Sequence, residues 1–365
     1  MEIIAFYLPQ FHPTPHNNEW WGKGFTEWTN VAKAKPLFKG HYQPKIPADL
    51  GFYDLRMPDI REEQAKLARE AGVTGFCYYH YWFGNGHKEL NLPFEEVISM
   101  GKPDFPFCLC WANESWHKKF CNKDGTMALK SKVLVEQKYL GSLDNENHFY
   151  ELLPAFKDQR YMKINGCPIF VIYKPLSFIN MSGFISEWNK LAKMNGFAGI
   201  HFIGYSLDVK NEYDKIKGLG FNAVNSCRIG YGKHNYIIRV IYKLFSVFFQ
   251  IPRIFSYEKM IKNFIGDEEA IEDVYPTIIP NWDHTPRSGN RGYLYHNSTP
   301  ALFKKHVEVV LNHINHKKNK IVFLKSWNEW GEGNYMEPDL RYGKGYIHAL
   351  KDAILKCSDK DVIGK

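Results

Sequence analysis

Residues 169–225, IFVIYKPLSFINMSGFISEWNKLAKMNGFAGIHFIGYSLDVKNEYDKIKGLGFNAVN, decide the fold. Ile169–Tyr173 is a short apolar run and reads as a strand. Ser182–Met194 reads as a helix, Ile200–Tyr205 as a second strand, Val209–Leu219 as a second helix and Phe221–Asn225 as a third strand. Short apolar runs separated by helical segments describe parallel strands joined by crossover helices. The same alternation continues outward in both directions. Upstream lie strands at Ile3–Leu8, Val73–His80 and Phe105–Trp111, with helices at Pro58–Ala71, Leu92–Met100 and Asn145–Phe156. Downstream lie a weak strand at Thr277–Pro280, a helix at Pro300–His313, a strand at Ile321–Ser326 and a closing helix at Gly345–Leu355. Eight strands alternating with helices predict an α/β protein, a (β/α)₈ TIM barrel. An open doubly wound sheet is the alternative, and the lack of a GxGxxG after any strand weighs against it. No shift in composition marks a linker and no internal repeat occurs, so residues 1–365 are expected to form a single catalytic domain.

The composition suits such a domain. Of 365 residues, 44% are hydrophobic and 24% charged, which excludes a disordered, collagenous or coiled-coil chain. Forty-seven Lys and Arg against 39 Asp and Glu leave +8, a modest excess for this length, and no nucleic-acid partner is expected. Aromatics stand out at 16%; they suit either a surface that stacks on ring-shaped ligands or an aromatic core. The seven cysteines form no CxxC, and Cys108 and Cys110 alternate along a strand, so they read as reduced core residues. The start, MEIIAFYLPQ, lacks the basic and long apolar regions of a secretion signal, which makes a cytoplasmic location the expectation.

One segment departs from the alternation. Between Arg228 and Asn263 seven Lys or Arg face one acid, Glu258. Within it, residues 236–251 read YIIRVIYKLFSVFFQI. Arg239, Lys243, Ser246 and Gln250 fall on one stripe of a helix and leave the rest apolar. This predicts an amphipathic helical insertion near residues 228–263. Such a helix suits peripheral contact with a membrane surface at 236–251, or burial against a barrel or a second subunit.

In a barrel the chemistry gathers where the strands end. The first strand leads to Tyr7, Gln10 and His12, then to Glu19, Trp20, Trp21, Glu27 and Trp28. The second ends at His80, Tyr81 and Trp82, and the third at Trp111, Asn113, Glu114 and Trp116. Tyr173, Trp282 and Asp283 follow later strands, and the eighth ends in Asn328, Glu329, Trp330, Gly331 and Glu332. Aromatic faces stack on the C–H faces of sugars, while amides, carboxylates and histidines bond hydroxyls. Glycosidic chemistry needs one carboxyl protonated and one ionised, and two neighbouring carboxylates drive their pKa values apart. Glu329 and Glu332, three apart after the last strand with Gly331 and Gly333 to ease a turn, form the candidate catalytic pair. No HExxH or His-x-His spacing suggests a metal, and no motif points to a cofactor.

The blocks AFYLPQFHPTPHNNEWWGKGFTEWTNV, YYHYWF, CWANESW, PNWDHTPR and KSWNEWGEGNYMEP, spread over residues 5–338, resemble the WbsX-type proteins. These are a glycoside hydrolase family 99-like group often labelled as glycosyltransferases of surface polysaccharide synthesis. The resemblance implies the (β/α)₈ barrel and a relation to endo-α-mannosidases. It gives Glu329 the role of the base that takes a proton from the sugar 2-hydroxyl, and Glu332 that of general acid/base at the glycosidic oxygen. Configuration is then retained through a 1,2-anhydro sugar. Endomannosidases carry an EWHEG-type block, whereas here Gly331 stands in place of the histidine. The expected function is a glycosyltransferase of O-antigen or capsule assembly, acting on a glycan or lipid-linked oligosaccharide at the inner face of the membrane. A hydrolase of endo-α-mannosidase type and a carbohydrate-binding protein with a dead site are the alternatives.

Overall fold

The computed structural model describes residues 1–121, 127–230, 248–249 and 251–363. Eight parallel strands form a closed barrel: β1 Glu2–Tyr7, β2 Gly75–Trp82, β3 Phe107–Trp111, β4 Cys167–Ile172, β5 His201–Ser206, β6 Ala223–Ser226, β7 Val274–Ile278 and β8 Ile321–Leu324. Each pairs with the next, and β8 returns to β1 in the register Glu2↔Ile321 to Ala5↔Leu324, which closes the ring. The crossover helices are α1 Pro58–Ala71, α2 Leu92–Met100, α3 Ser142–Lys157, α4 Met181–Met194, α5 Val209–Gly218 and α6 Pro300–His313; α7 Gly345–Ile363 follows β8. The expected (β/α)₈ barrel is therefore present.

Aromatic rings fill the inside. Phe6 stacks on Tyr79 at 5.5 Å and on Phe323 at 5.2 Å, and Tyr173 stacks on Tyr205 at 4.8 Å. Side chains one residue along each strand point outward, and those of β3 and β4 meet the helices around Trp188, which is fully buried. Six cysteines among the described residues are free, five of them buried, in keeping with their use as small apolar groups.

β7 begins at Val274, before the expected Thr277, because Pro276 and Thr277 interrupt its apolar run while its neighbours still pair with it. Several elements carried too little periodicity to be foreseen. Two capped helices, Pro15–Trp21 and Glu27–Lys33, lie in the long β1–α1 connection, with Thr14 and Thr26 accepting from the first-turn amides. Trp116–Cys121 and Met127–Val135 form an antiparallel hairpin, and Arg253–Ser256 pairs in parallel with Tyr293–His296. Half of the expected insertion at 228–263, residues 231–247 and Gln250, lies outside the described residues. At its described ends Arg228 pairs with Glu268 and Glu269, both at 2.6 Å, and Tyr257–Met260 is a single helical turn. Among the described residues no helix is long and apolar enough to cross a membrane.

Candidate active site

The segment leaving β8 is fastened at each step. Trp327 N–H donates to Phe6 O at 2.8 Å, and Asn328 clips the end of β1, accepting from Leu8 N at 2.7 Å and donating to Leu8 O at 3.0 Å. Asn328–Glu329 then pairs antiparallel with Asn334–Tyr335 around one turn of 3₁₀ helix, Trp330–Glu332. Two glycines make this tight path possible. Gly333 has φ +66°, and a Cβ there would sit 2.6 Å from Lys45 Nζ and 2.8 Å from Asp283 Cβ. A Cβ at Gly331 would lie 2.0 Å from Glu27 Oε2. The place that a side chain at position 331 would take is thus held by Glu27.

The turn brings Glu329 and Glu332 to one guanidinium. Arg287 Nη1 lies 2.5 Å from Glu332 Oε1 and 3.3 Å from Glu329 Oε1, and its Nε donates to Glu27 Oε2 at 3.0 Å. Two oxygens that touch the same nitrogen are nearer the ~5–5.5 Å carboxyl spacing of retaining glycosidases than the ~6.5–9.5 Å of inverting ones. Lys325 Nζ stands 3.7 Å from Glu329 Oε2 and donates to Tyr79 Oη at 2.9 Å. His284 Nε2 is 3.6 Å from Glu332 Oε1. Burial raises the pKa of Glu329, the charge of Glu332 adds to the rise, and Lys325 and Arg287 pull against it. Burial disfavours the charged form of Lys325, but Glu329 and Tyr173 outweigh it and hold the ammonium. The site is thus a largely buried set of three carboxylates and two cations in which desolvation makes Glu329 a stronger proton acceptor than an ordinary carboxylate.

These groups line a cavity of about 270 Å³ at the strand ends. Of the expected binding residues, Gln10, Glu27, Tyr81, Glu114, Trp116 and Tyr173 line it with Glu329 and Glu332. Trp20 stands just behind the wall, edge-on to Trp116 at 6.0 Å. Glu19 and Trp21 are exposed, with Trp21 against Phe25 at 5.8 Å.

The others serve the scaffold. Tyr7 points out of the barrel and donates to Gln64 Oε1 on α1 at 2.6 Å. His12 Nδ1 meets Pro9 O at 3.0 Å. Trp28 packs on Phe11 and Trp330 and donates to Tyr53 O at 2.7 Å. His80 faces His148 at 2.9 Å, and burial lowers its pKa to about 3, so this pair is neutral. Trp82 stacks on His148, and Trp111 donates to Trp82 O at 2.9 Å. Asn113 joins β3 to β4, accepting from Lys174 N at 2.7 Å and donating to Lys174 O at 3.0 Å. Trp282 stacks on Tyr293 at 5.5 Å, and Trp330 stacks on Tyr335 at 3.7 Å while donating to Glu337 Oε2 at 2.6 Å. Asp283 accepts from Gln43 Nε2, Thr285 N and Thr285 Oγ1 and meets His41 Nε2 at 2.9 Å. Strand parity explains much of this sorting. Phe6, Tyr79 and Tyr81 face inward, so Tyr7, His80 and Trp82 face the helices.

Five cavity residues escaped the sequence reading: the apolar Leu8 and Ala112, and the polar Tyr79, Lys325 and Arg287. Tyr79 follows from parity once Tyr81 is placed inside. Lys325 and Arg287 sit in the quoted blocks KSWNEWGEG and PNWDHTPR, and a search for cations to offset clustered carboxylates finds them there.

Comparison with known proteins gives the chain its family and its fold relatives. The family profile described as Glycosyltransferase WbsX matches residues 3–350. Two uncharacterized proteins designated WxcX, from two strains of Xanthomonas campestris pv. campestris, are each 32% identical over 366 aligned residues, covering 98% of this chain and 50% of their own length. The chain thus spans about half the length of these curated relatives. Among solved structures, a glycoside hydrolase-like protein superposes with a TM-score of 0.62 at 14% identity, covering 96% of this chain and 93% of its own. The GH99 endo-α-mannosidase from Bacteroides thetaiotaomicron superposes with a TM-score of 0.57 at 14% identity, covering 98% of each chain. At that identity the likeness is one of fold.

Proposed function

This chain belongs to the WbsX glycosyltransferase family, and from that premise we propose that it is a carbohydrate-active enzyme of cell-surface polysaccharide or lipopolysaccharide assembly. In this reading residues 1–365 act as one catalytic domain that transfers a sugar, with retention, to a glycan or lipid-linked acceptor. The observation that carries it is the pair Glu329 and Glu332 on one guanidinium inside the barrel mouth. Glu329, desolvated and so a stronger base, takes the proton of the 2-hydroxyl as O2 attacks C1. Glu332 gives a proton to the departing glycosidic oxygen. The acceptor hydroxyl then loses its proton to Glu332 and opens the 1,2-anhydro ring at C1, while Glu329 returns the proton to O2. Arg287 holds both carboxylates in register through the two steps. Tyr81, Trp116 and Tyr173 offer faces to sugar rings, and Gln10 and Glu114 offer partners to hydroxyls.

Hydrolysis is the second reading, favoured by the barrel shared with a GH99 endo-α-mannosidase. It differs only in using water as acceptor. Glu27 at the space beside Gly331 argues for a ring pocket unlike the EWHEG pattern.

Product analysis by mass spectrometry decides between them. The protein is offered α-mannosidic oligosaccharides alone and, separately, activated sugar donors with glycan acceptors, free or in liposomes. Lengthened acceptors, absent with Glu332→Gln, are expected; shortened oligosaccharides instead would make it a hydrolase. Undiminished turnover in Glu332→Gln would overturn the acid/base role. Preference for the liposome-borne acceptor is expected if 236–251 meets the membrane, and equal use of both forms counts against that contact.

A further inference from the structure

We propose that His16, His87 and Glu89 form a binding site for a divalent transition-metal ion, zinc by its ligand chemistry, at the rim of the barrel mouth. The three come from two separate segments. His16 is in the first turn of the helix Pro15–Trp21. His87 and Glu89 lie on the hairpin after β2, where Lys88–Glu89 pairs antiparallel with Tyr81–Trp82. Two apart along an extended chain, they point to the same side. Lys88, between them, points away and pairs with Glu95 at 2.6 Å and with Glu151.

The ligand atoms are already gathered. His16 Nδ1, His87 Nε2 and a Glu89 oxygen lie within 4.8 Å of one another. Both rings aim at the same atom, Glu89 Oε1, His87 from 2.9 Å. Glu89 is buried, and among the described residues these imidazoles are its partners, with no Lys or Arg in ion-pair reach. An ion seated between the three takes a lone pair from each facing ring nitrogen and from the carboxylate, with each ring's proton on its outer nitrogen. Zinc bonds of ~2.0–2.2 Å set ligands ~3.3 Å apart, so the cluster opens only slightly to admit it. Two imidazoles with one carboxylate suit zinc and its neighbours, whereas calcium and magnesium seek oxygen alone. The His side chains are 48% and 43% exposed, which leaves an entry path and a coordination position open to water.

The site ties the first loop to the second. His16 stacks on Trp20 at 5.3 Å, and Trp20 meets Trp116, a wall of the catalytic cavity. A bound ion therefore fixes the rim without touching the reacting carboxylates. The inference does not depend on whether the enzyme transfers or hydrolyses.

Equilibrium dialysis of the metal-stripped chain against Zn²⁺, with metal content read by mass spectrometry, tests it. One ion per chain is expected, with affinity at least tenfold weaker in both His16→Ala and His87→Ala. Both rings are half-exposed, so circular dichroism should show the variants folded. Cobalt in place of zinc should give a d–d spectrum without a sulfur charge-transfer band, which separates this site from any cysteine. Zinc also should raise the Tm of the native chain and leave that of the variants in place. Equal binding by native chain and variants, or none, overturns the proposal.

Discussion

Glu329 and Asp283 are both buried carboxylates a few residues beyond the end of a barrel strand, yet their surroundings push them in opposite directions. Asp283, after β7, meets His41 and accepts from Gln43 and from the amide and hydroxyl of Thr285. Burial raises its pKa, but the bond with His41, the charge of Lys45 and the bond from Thr285 win and bring it down to about 2. Glu329, after β8, has its neighbours at the edge of contact, with Arg287 at 3.3 Å, Ser326 at 3.5 Å and Lys325 at 3.7 Å. There burial wins and the pKa rises. The lesson is that a carboxylate whose lone pairs are filled is committed to the scaffold, and one whose lone pairs are kept half-filled is available to a proton.

The contrast can be tested from either side. The largest effect is expected from Glu329→Gln, which removes the proton acceptor. Turnover should fall by ~10²–10⁴. Chemical denaturation should meanwhile show little loss of stability, because a carboxylate whose pKa the fold raises contributes no stability in its ionised form. A variant that unfolds as it loses activity would place Glu329 with Asp283 as a scaffold residue.

Asp283→Asn should do the reverse and cost about 2 kcal/mol of stability at neutral pH. The sign follows from the depressed pKa. The native carboxylate contributes its stability above the unfolded value near 4 and loses it as pH falls through about 2. The gap between native and variant denaturation curves should therefore close between pH 4 and pH 2. A gap that persists at pH 2 would mean that packing, not charge, is at stake.

Lys325→Met gives the smallest and most selective effect. Lys325 lowers the pKa of Glu329, so its loss raises that pKa further. The acid limb of kcat/KM, where the base becomes protonated, should move up by ~1 pH unit. An unmoved limb would detach Lys325 from the base.

A second difference lies between the strands and the loops above them. Along β2 and one residue beyond, the sequence YYHYWF offers five aromatic or histidine side chains after Tyr78, of which His80, Tyr81 and Trp82 are the expected sugar contacts. The barrel admits Tyr79 and Tyr81 and gives His80 and Trp82 to the helices, where His148 receives both. Parity was legible in principle, because a strand alternates by two, and one placed residue assigns its neighbours. The loops have no such rule. Nothing in PNWDHTPR says that Arg287 crosses the mouth to Glu27, Glu329 and Glu332 from 260, 42 and 45 residues away.

The sequence by itself determined the eight strands and their crossover helices, since apolar runs and helical periods are local properties of the chain. It also determined the candidate pair, because two glutamates three apart at the last strand's exit are brought together by one turn. Tertiary structure alone decided what surrounds that pair. Arg287 and Glu27 reach it from other loops, and Glu27 takes the space that Gly331 leaves open. Tertiary structure also decided which carboxylate is satisfied and which is left half-satisfied, because desolvation and partner count depend on packing between segments far apart in the chain.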